Sequence, residues 1–299
     1  MFAAARHSFR PGLGQTLLNH AVRMTTAVAA VLALAAFPAS AAETIVTLDG
    51  GIAATLNLPD GAASAPAVVM LHGFGSSRDE VGGMYVRLAK ALADKGVASL
   101  RIDFRGFGKS DGDTGATTVD RQLEDAKTAL TYLGKTEGVD KSRIGVLGFS
   151  LGGGIAMLLA ADQPSQLKAL ATWSSVGDFH KDFLEEMGQA TFDKADKEGI
   201  VGLDLGWRTI ALKKSFFDSL SGHDLGAAIG AFPGAYLAIA GSKDFSAAYP
   251  AGFAKRAPGS VKEVVIVPEA DHIYSVLGDD QSMADGVIGK TAEWFAKTL

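Results

Sequence analysis

The sequence predicts an α/β fold: a mostly parallel central sheet with helices on both faces and a small cap insertion. Three observations carry this. Continuous apolar runs at 67–71 and 235–240 have the pattern of strands buried on both faces. Such runs alternate with stretches of helical spacing, which in one sheet calls for parallel crossovers. An apolar run at 144–147 enters Gly148-Phe149-Ser150-Leu151-Gly152 and leaves through a second apolar run at 155–161, a strand, a tight turn and a helix in succession.

The 299 residues, 47% of them hydrophobic, suffice for one domain with a full core. The N-terminus reads differently. Residues 1–24 carry Arg6, Arg10 and Arg23 and no acid; 25–37 is nearly unbroken Ala, Val and Leu; Ala39-Ser40-Ala41 then fits a cleavage pattern. A signal peptide over 1–41 is expected, and with it an exported, periplasmic or secreted protein spanning 42–299. The apolar stretch is short for a membrane span, so no stable membrane insertion is expected after cleavage. Cleavage would leave 25 basic and 33 acidic residues, a net charge of −8. That argues against nucleic acid or anionic lipid as partner. The absence of cysteine excludes thiol nucleophiles and Cys-ligated metals. Nothing in the sequence sets the oligomeric state.

In chain order, 43–48 and 52–58 alternate around Asp49-Gly50-Gly51, a hairpin. The strand at 67–71 ends in His72-Gly73-Phe74-Gly75. A helix is expected at 84–95, stopped by Gly96, then a strand at 97–104. Gly108-Lys109-Ser110 has the tail of a phosphate-binding loop, but Asp103 stands where that loop needs glycine, which rules it out. Asp103 and Arg105 are expected to brace their loop as an ion pair. A helix at 117–133, capped by Thr118 or Asp120, leads to the Ser150 unit and a strand at 169–173. Residues 178–233 are richer in charge and lack clean alternation; they read as an insertion, a cap over the active site, followed by a helix near 223–229. Strand 235–240, helix 246–255, strand 263–267 and helix 283–297 complete the chain.

Ser150, at a glycine-flanked turn before a helix, is a candidate nucleophile. Such a serine needs a base, an acid to orient the base, and donors for an oxyanion. His272 follows the last buried strand and suits the base. Asp244 ends the strand 235–240 and suits the acid, with Asp178, after the preceding strand, as its rival. Asp271 and Glu269 are poorer candidates, because adjacent loop side chains diverge. The backbone N–H groups of Leu151 and Phe74 are the expected oxyanion donors. His72 is expected to brace its loop by hydrogen bonding. Trp207, Phe216 and Phe217 either line a substrate pocket, the assignment taken here, or form the cap's own core. This chemistry requires no cofactor and no metal.

Together, His72-Gly73-Phe74-Gly75, Gly148-Phe149-Ser150-Leu151-Gly152-Gly153, Gly241-Ser242-Lys243-Asp244 and Asp271-His272 resemble the α/β-hydrolase superfamily. The chain is most similar there to the group of dienelactone hydrolases, cinnamoyl (feruloyl) esterases and serine aminopeptidase-like enzymes, over about 43–299. The resemblance implies a hydrolase of small-molecule carboxylic esters with a Ser-Asp-His triad, with amide hydrolysis or acyl transfer as the alternative. A non-catalytic binding protein on this fold has no need of all three residues in register. Dienelactone hydrolases use a cysteine nucleophile, so Ser150 moves the expectation toward serine esterases. The cap's length resembles that of the cinnamoyl esterases.

Overall fold

The computed structural model describes residues 41–299. The expectations for the segment 1–41 therefore lie almost entirely outside the described residues. The chain opens with the hairpin of β1 (Ala41–Leu48) and β2 (Ile52–Pro59), paired so that Leu48 faces Ile52. β3 (Ala65–Leu71), α1 (Met84–Ala93), β4 (Ala98–Ile102), α2 (Val119–Leu133), β5 (Val139–Phe149), α3 (Leu151–Asp162) and β6 (Leu167–Trp173) follow. The cap holds α4 (Phe179–Met187), α5 (Gln189–Glu198), the hairpin β7 (Ile200–Asp204) and β8 (Thr209–Lys213), and α6 (Lys214–Ser219). The main body resumes with α7 (Leu225–Ala231), β9 (Ala235–Gly241), α8 (Pro250–Arg256), β10 (Lys262–Val267) and α9 (Ser282–Thr298).

Eight strands form one sheet in the order β1-β2-β4-β3-β5-β6-β9-β10. β1 and β2 pair antiparallel, as do β2 and β4; every other pairing is parallel. Alternate residues of β3 feed two cores. Ala67, Val69 and Leu71 pack with α2, α3, α7 and the cap, whereas Val68 and Met70 pack with α1 and α9. Period-two burial on both faces is the reason these strands read as unbroken apolar runs.

The order also fixes where chemistry can sit. After β3 the chain moves to one side, through β4; β5 lies on the other side of β3. The loops leaving β3 and β5 therefore part at their C-terminal ends and open a crevice there.

Two expectations need correction. The helix near 223–229 is α7, which packs on α3 and α8 in the main body, so the cap closes with α6 and does not run on to 233. The helix expected over 246–255 is split into a 3-10 turn, Phe245–Ala248, and α8, because Pro250 at the first helical position cannot donate to a preceding turn. The cap hairpin β7–β8 has no counterpart in the sequence reading: two five-residue strands, one interrupted by Gly202, carry little periodic signal.

Candidate active site

Ser150 is the residue between β5 and α3, with φ 53° and ψ −118°, a region that non-glycine residues avoid. Such a conformation costs on the order of 1–3 kcal/mol and persists only where its surroundings enforce it. Here Ser150 N–H donates to Trp173 O at 2.9 Å, and Ser150 O accepts from Gly153 N–H at 3.0 Å. The turn is tight enough that a Cβ on Gly148 would strike the Gly152 carbonyl, and one on Gly152 would strike the Leu71 and His72 carbonyls. The two glycines are thus a packing requirement.

His272 stands on the loop after β10. Asp271 shapes that loop, its Oδ1 accepting from Ile273 N–H at 3.2 Å and Ser275 N–H at 2.8 Å. The imidazole stacks on Phe245, with ring centroids 5.4 Å apart, and lies against Phe149 at 5.1 Å. Its Nε2 is 3.0 Å from Ser150 Oγ and its Nδ1 is 3.0 Å from Asp244 Oδ1. A carboxylate accepts only, so the network assigns the proton to Nδ1 and leaves Nε2 as acceptor for the serine hydroxyl.

Asp244 follows β9, its side chain 3% exposed. Burial works to raise its pKa, but the His272 N–H and charge, with the Ser246 hydroxyl, outweigh it and hold the carboxyl below its ordinary range. Ser246 Oγ donates to Asp244 Oδ2. The buried Ser174 Oγ donates to Tyr274 Oη at 3.0 Å, which in turn donates to Ile239 O at 3.1 Å. Asp178 is elsewhere engaged: it caps α4, accepting from Lys181 N–H at 2.9 Å.

Leu151 is the first residue of α3, where the helix leaves its N–H groups unpaired. Phe74 sits in the turn closed by Ser76 N–H on Gly73 O at 3.3 Å. A Cβ on Gly73 would come within 3.3 Å of Ser150 Cβ, so this turn lies directly against the serine. His72 braces the turn's base. It is buried, its Nδ1–H donates to Gly73 O at 2.7 Å, and its Nε2 accepts from Phe104 N–H at 3.0 Å. Burial pushes its pKa down to about 4, so the ring is neutral at pH 7.

Asp103 and Arg105 do not pair with each other. Asp103 bonds to the Arg78 guanidinium at 2.8 Å, and Arg105 bonds to Asp125 on α2. Both partners are far away in sequence, which is why neighbouring charges misled.

A cavity of about 1160 Å³ opens above Ser150 and His272, walled by Phe74, Val176, Phe183, Met187, Leu205 and Trp207. Trp207, on the tip of the cap hairpin and 71% exposed, lines this cavity. Phe216 and Phe217 do not. Phe216 stacks behind Phe74 at 5.4 Å and also contacts Phe183; Phe217 packs on Phe192. The two are the cap's own core, because α6 turns both rings inward to be buried. Glu80, Ser174 and Tyr274 were not singled out from sequence; their only signal is placement, beside the Gly73 turn and beside the acid's strand. Among the described residues no group of three His, Asp or Glu side chains could hold a metal, and no helix is long and apolar enough to cross a membrane.

Comparison with known proteins agrees with this architecture. A family model described as serine aminopeptidase, S33, matches residues 62–196. The structure is similar to that of Est1E from Butyrivibrio proteoclasticus with ferulic acid bound, at 26% identity and TM-score 0.70, over 85% of this chain and 98% of that one. Esterase EstD of Thermotoga maritima is 35% identical over 119 residues, 38% of this chain and 28% of EstD. A 31.7 kDa protein of Escherichia coli is 34% identical over 131 residues, 44% of either chain, so this chain spans less than half the length of the curated relatives it matches.

Proposed function

We propose, from the premise that the chain belongs to the α/β-hydrolase superfamily and is a hydrolase, that it cleaves carboxylic esters through an acyl-enzyme. One observation carries the proposal: Ser150, His272 and Asp244 stand in a hydrogen-bonded series with both links at 3.0 Å, and the serine is held in a strained turn. In the proposed reaction, Ser150 Oγ attacks the ester carbonyl while His272 Nε2 takes its proton. Asp244 accepts from Nδ1–H and favours the resulting imidazolium. The Phe74 and Leu151 N–H groups donate to the tetrahedral oxyanion. The alkoxide then leaves with the proton from Nε2, and water repeats the sequence on the acyl-enzyme.

The aromatic wall of the cavity and the ferulic acid held by the similar Est1E favour aryl esters as substrates. The serine aminopeptidase description of the matching family favours a second reading, cleavage of an amide by the same groups. Export through residues 1–41 remains part of the proposal, since the cleavage pattern is its support.

The test has two parts. A fluorophosphonate should label the wild-type protein at Ser150, and Ser150→Ala should abolish labelling and lower kcat by about 10⁴- to 10⁶-fold with the fold intact. A panel of p-nitrophenyl esters, methyl ferulate and aminoacyl anilides then separates ester from amide cleavage. Ester turnover by Ser150→Ala near the wild-type rate would remove the mechanism.

A further inference from the structure

Glu80 lies outside the triad, yet its surroundings are unusual. It has φ 58° and ψ 170°, a backbone region that non-glycine residues avoid unless their surroundings enforce it. It is 8% exposed, and its carboxylate is fully used. Oε1 accepts from Gly73 N–H at 2.5 Å; Oε2 accepts from Ser76 Oγ and from Val81 N–H, both at 2.9 Å. Gly73 and Ser76 bracket Phe74. The point where a Gly73 Cβ would stand is 3.4 Å from Glu80 Oε1 and 3.3 Å from Ser150 Cβ, so the carboxylate and the serine approach the same peptide. Glu80 also lines the cavity with Ser150 and His272.

A carboxylate in this position is costly to bury. Burial raises its pKa against the three hydrogen bonds. The titratable groups that act on it or feel it are His272, from the loop after β10, and the Tyr85 hydroxyl of α1, which donates to Leu71 O at 2.9 Å. Tyr85 stays neutral, its pKa driven well up by burial. The group whose charge changes in the reaction is therefore His272. A glutamine of the same shape would satisfy packing equally well and would avoid the ionic cost, but its amide hydrogens would oppose Val81 N–H or Gly73 N–H.

We propose that Glu80 is a positioning residue of the hydrolase. Its buried carboxylate fixes the turn that presents the Phe74 N–H to the oxyanion, and its charge favours the imidazolium formed at His272 as Ser150 attacks. This rests on the serine hydrolase reading above. A donor held where the oxyanion forms and a charge that faces the developing imidazolium both act more strongly on the transition state than on substrate binding.

Glu80→Gln tests it. The expected result is a kcat about ten- to a hundredfold lower with KM changed by less than about threefold, and a low-pH limb of kcat/KM moved to lower pH, because the imidazolium has lost a favourable charge. Glu80→Asp keeps the charge and shortens the reach: its kcat should also fall while its low-pH limb stays near that of the wild type. In 15N-labelled protein the Gly73 amide proton should lose its downfield position in both variants, a readout independent of turnover. If Glu80→Gln does not fold, Glu80→Asp and the wild-type amide shift decide alone. Wild-type kcat together with an unmoved Gly73 amide in either folded variant overturns the assignment. An inactive wild-type protein whose Gly73 amide still responds to Glu80 would instead sink the hydrolase reading and leave the turn's positioning intact.

Discussion

Asp178 and Asp244 each follow a buried strand, and each stands directly before a helical element, α4 for Asp178 and the 3-10 turn Phe245–Ala248 for Asp244. What separates them is the use of the carboxylate: Asp178 is spent on the N-terminus of α4, while Asp244 reaches His272. Asp244→Asn would present an amide to Nδ1 and favour the wrong tautomer, so kcat should drop on the order of 10⁴-fold at neutral pH. Asp178→Asn retains a good capping side chain and should leave kcat within about threefold. Both variants assayed on one ester decide the matter, and the reverse ranking would reassign the acid. Ser150 and His272 were legible because each is marked by local sequence, a glycine-flanked turn and the end of the last strand. The sequence favours Asp244 as the acid but keeps Asp178 as a rival, because a loop's direction after its strand is set by distant packing. The ion pairs of Asp103 and Arg105 were illegible for the same reason: Arg78 and Asp125 come from other elements.

The cap is the element whose sequence said least. Its hairpin tip reaches down to the Gly73 turn, where Arg208 donates to Gly75 O at 3.2 Å and Leu205 closes over Gly75. The hairpin thereby sets Trp207 at the cavity mouth without burying it. Aromatic residues in a charged segment show that something is packed there, and their order along α6 does not say which ring faces substrate and which faces core. Substitution separates the roles. Trp207→Ala should leave stability within about 0.5 kcal/mol, as for an exposed side chain, and should raise KM for methyl ferulate several-fold while sparing p-nitrophenyl acetate. Phe216→Ala should cost about 3–5 kcal/mol of stability, since it empties a buried site behind Phe74. Urea midpoints and the two KM values check both; an unchanged KM for the bulky ester in Trp207→Ala would exclude Trp207 from the substrate's surroundings.

At the scale of the molecule, the centre of the sheet is legible because both its faces are buried there, which turns β3, β6 and β9 into apolar runs that no amphipathic helix imitates. The N-terminal segment belongs to this scale too. If 1–41 is a signal peptide, N-terminal sequencing of protein from the periplasmic or culture fraction should begin at Ala42, and an intact Met1 there would reject cleavage. Folding stability itself carries a signature of the site's architecture. His72 is held neutral between a carbonyl and an N–H donor; protonating Nε2 would set two donors face to face at Phe104. Its pKa falls from an ordinary value of 6.5 to about 4 on folding. The unfolded chain thus binds a proton, between those values, that the folded chain refuses. The stabilising contribution is whole above pH 6.5, declines as pH falls toward about 4, and levels off below, a total loss of roughly 3 kcal/mol. Buried carboxylates with raised pKa, Glu80 and Asp125, act in the opposite direction over part of this range, so the wild-type slope alone mixes them. His72→Gln removes one titration and leaves the others. Its deficit against the wild type, measured by urea unfolding, should be largest near pH 7 and should shrink steadily toward pH 4. A deficit that stays constant across that range would show that His72 is not held neutral by the fold.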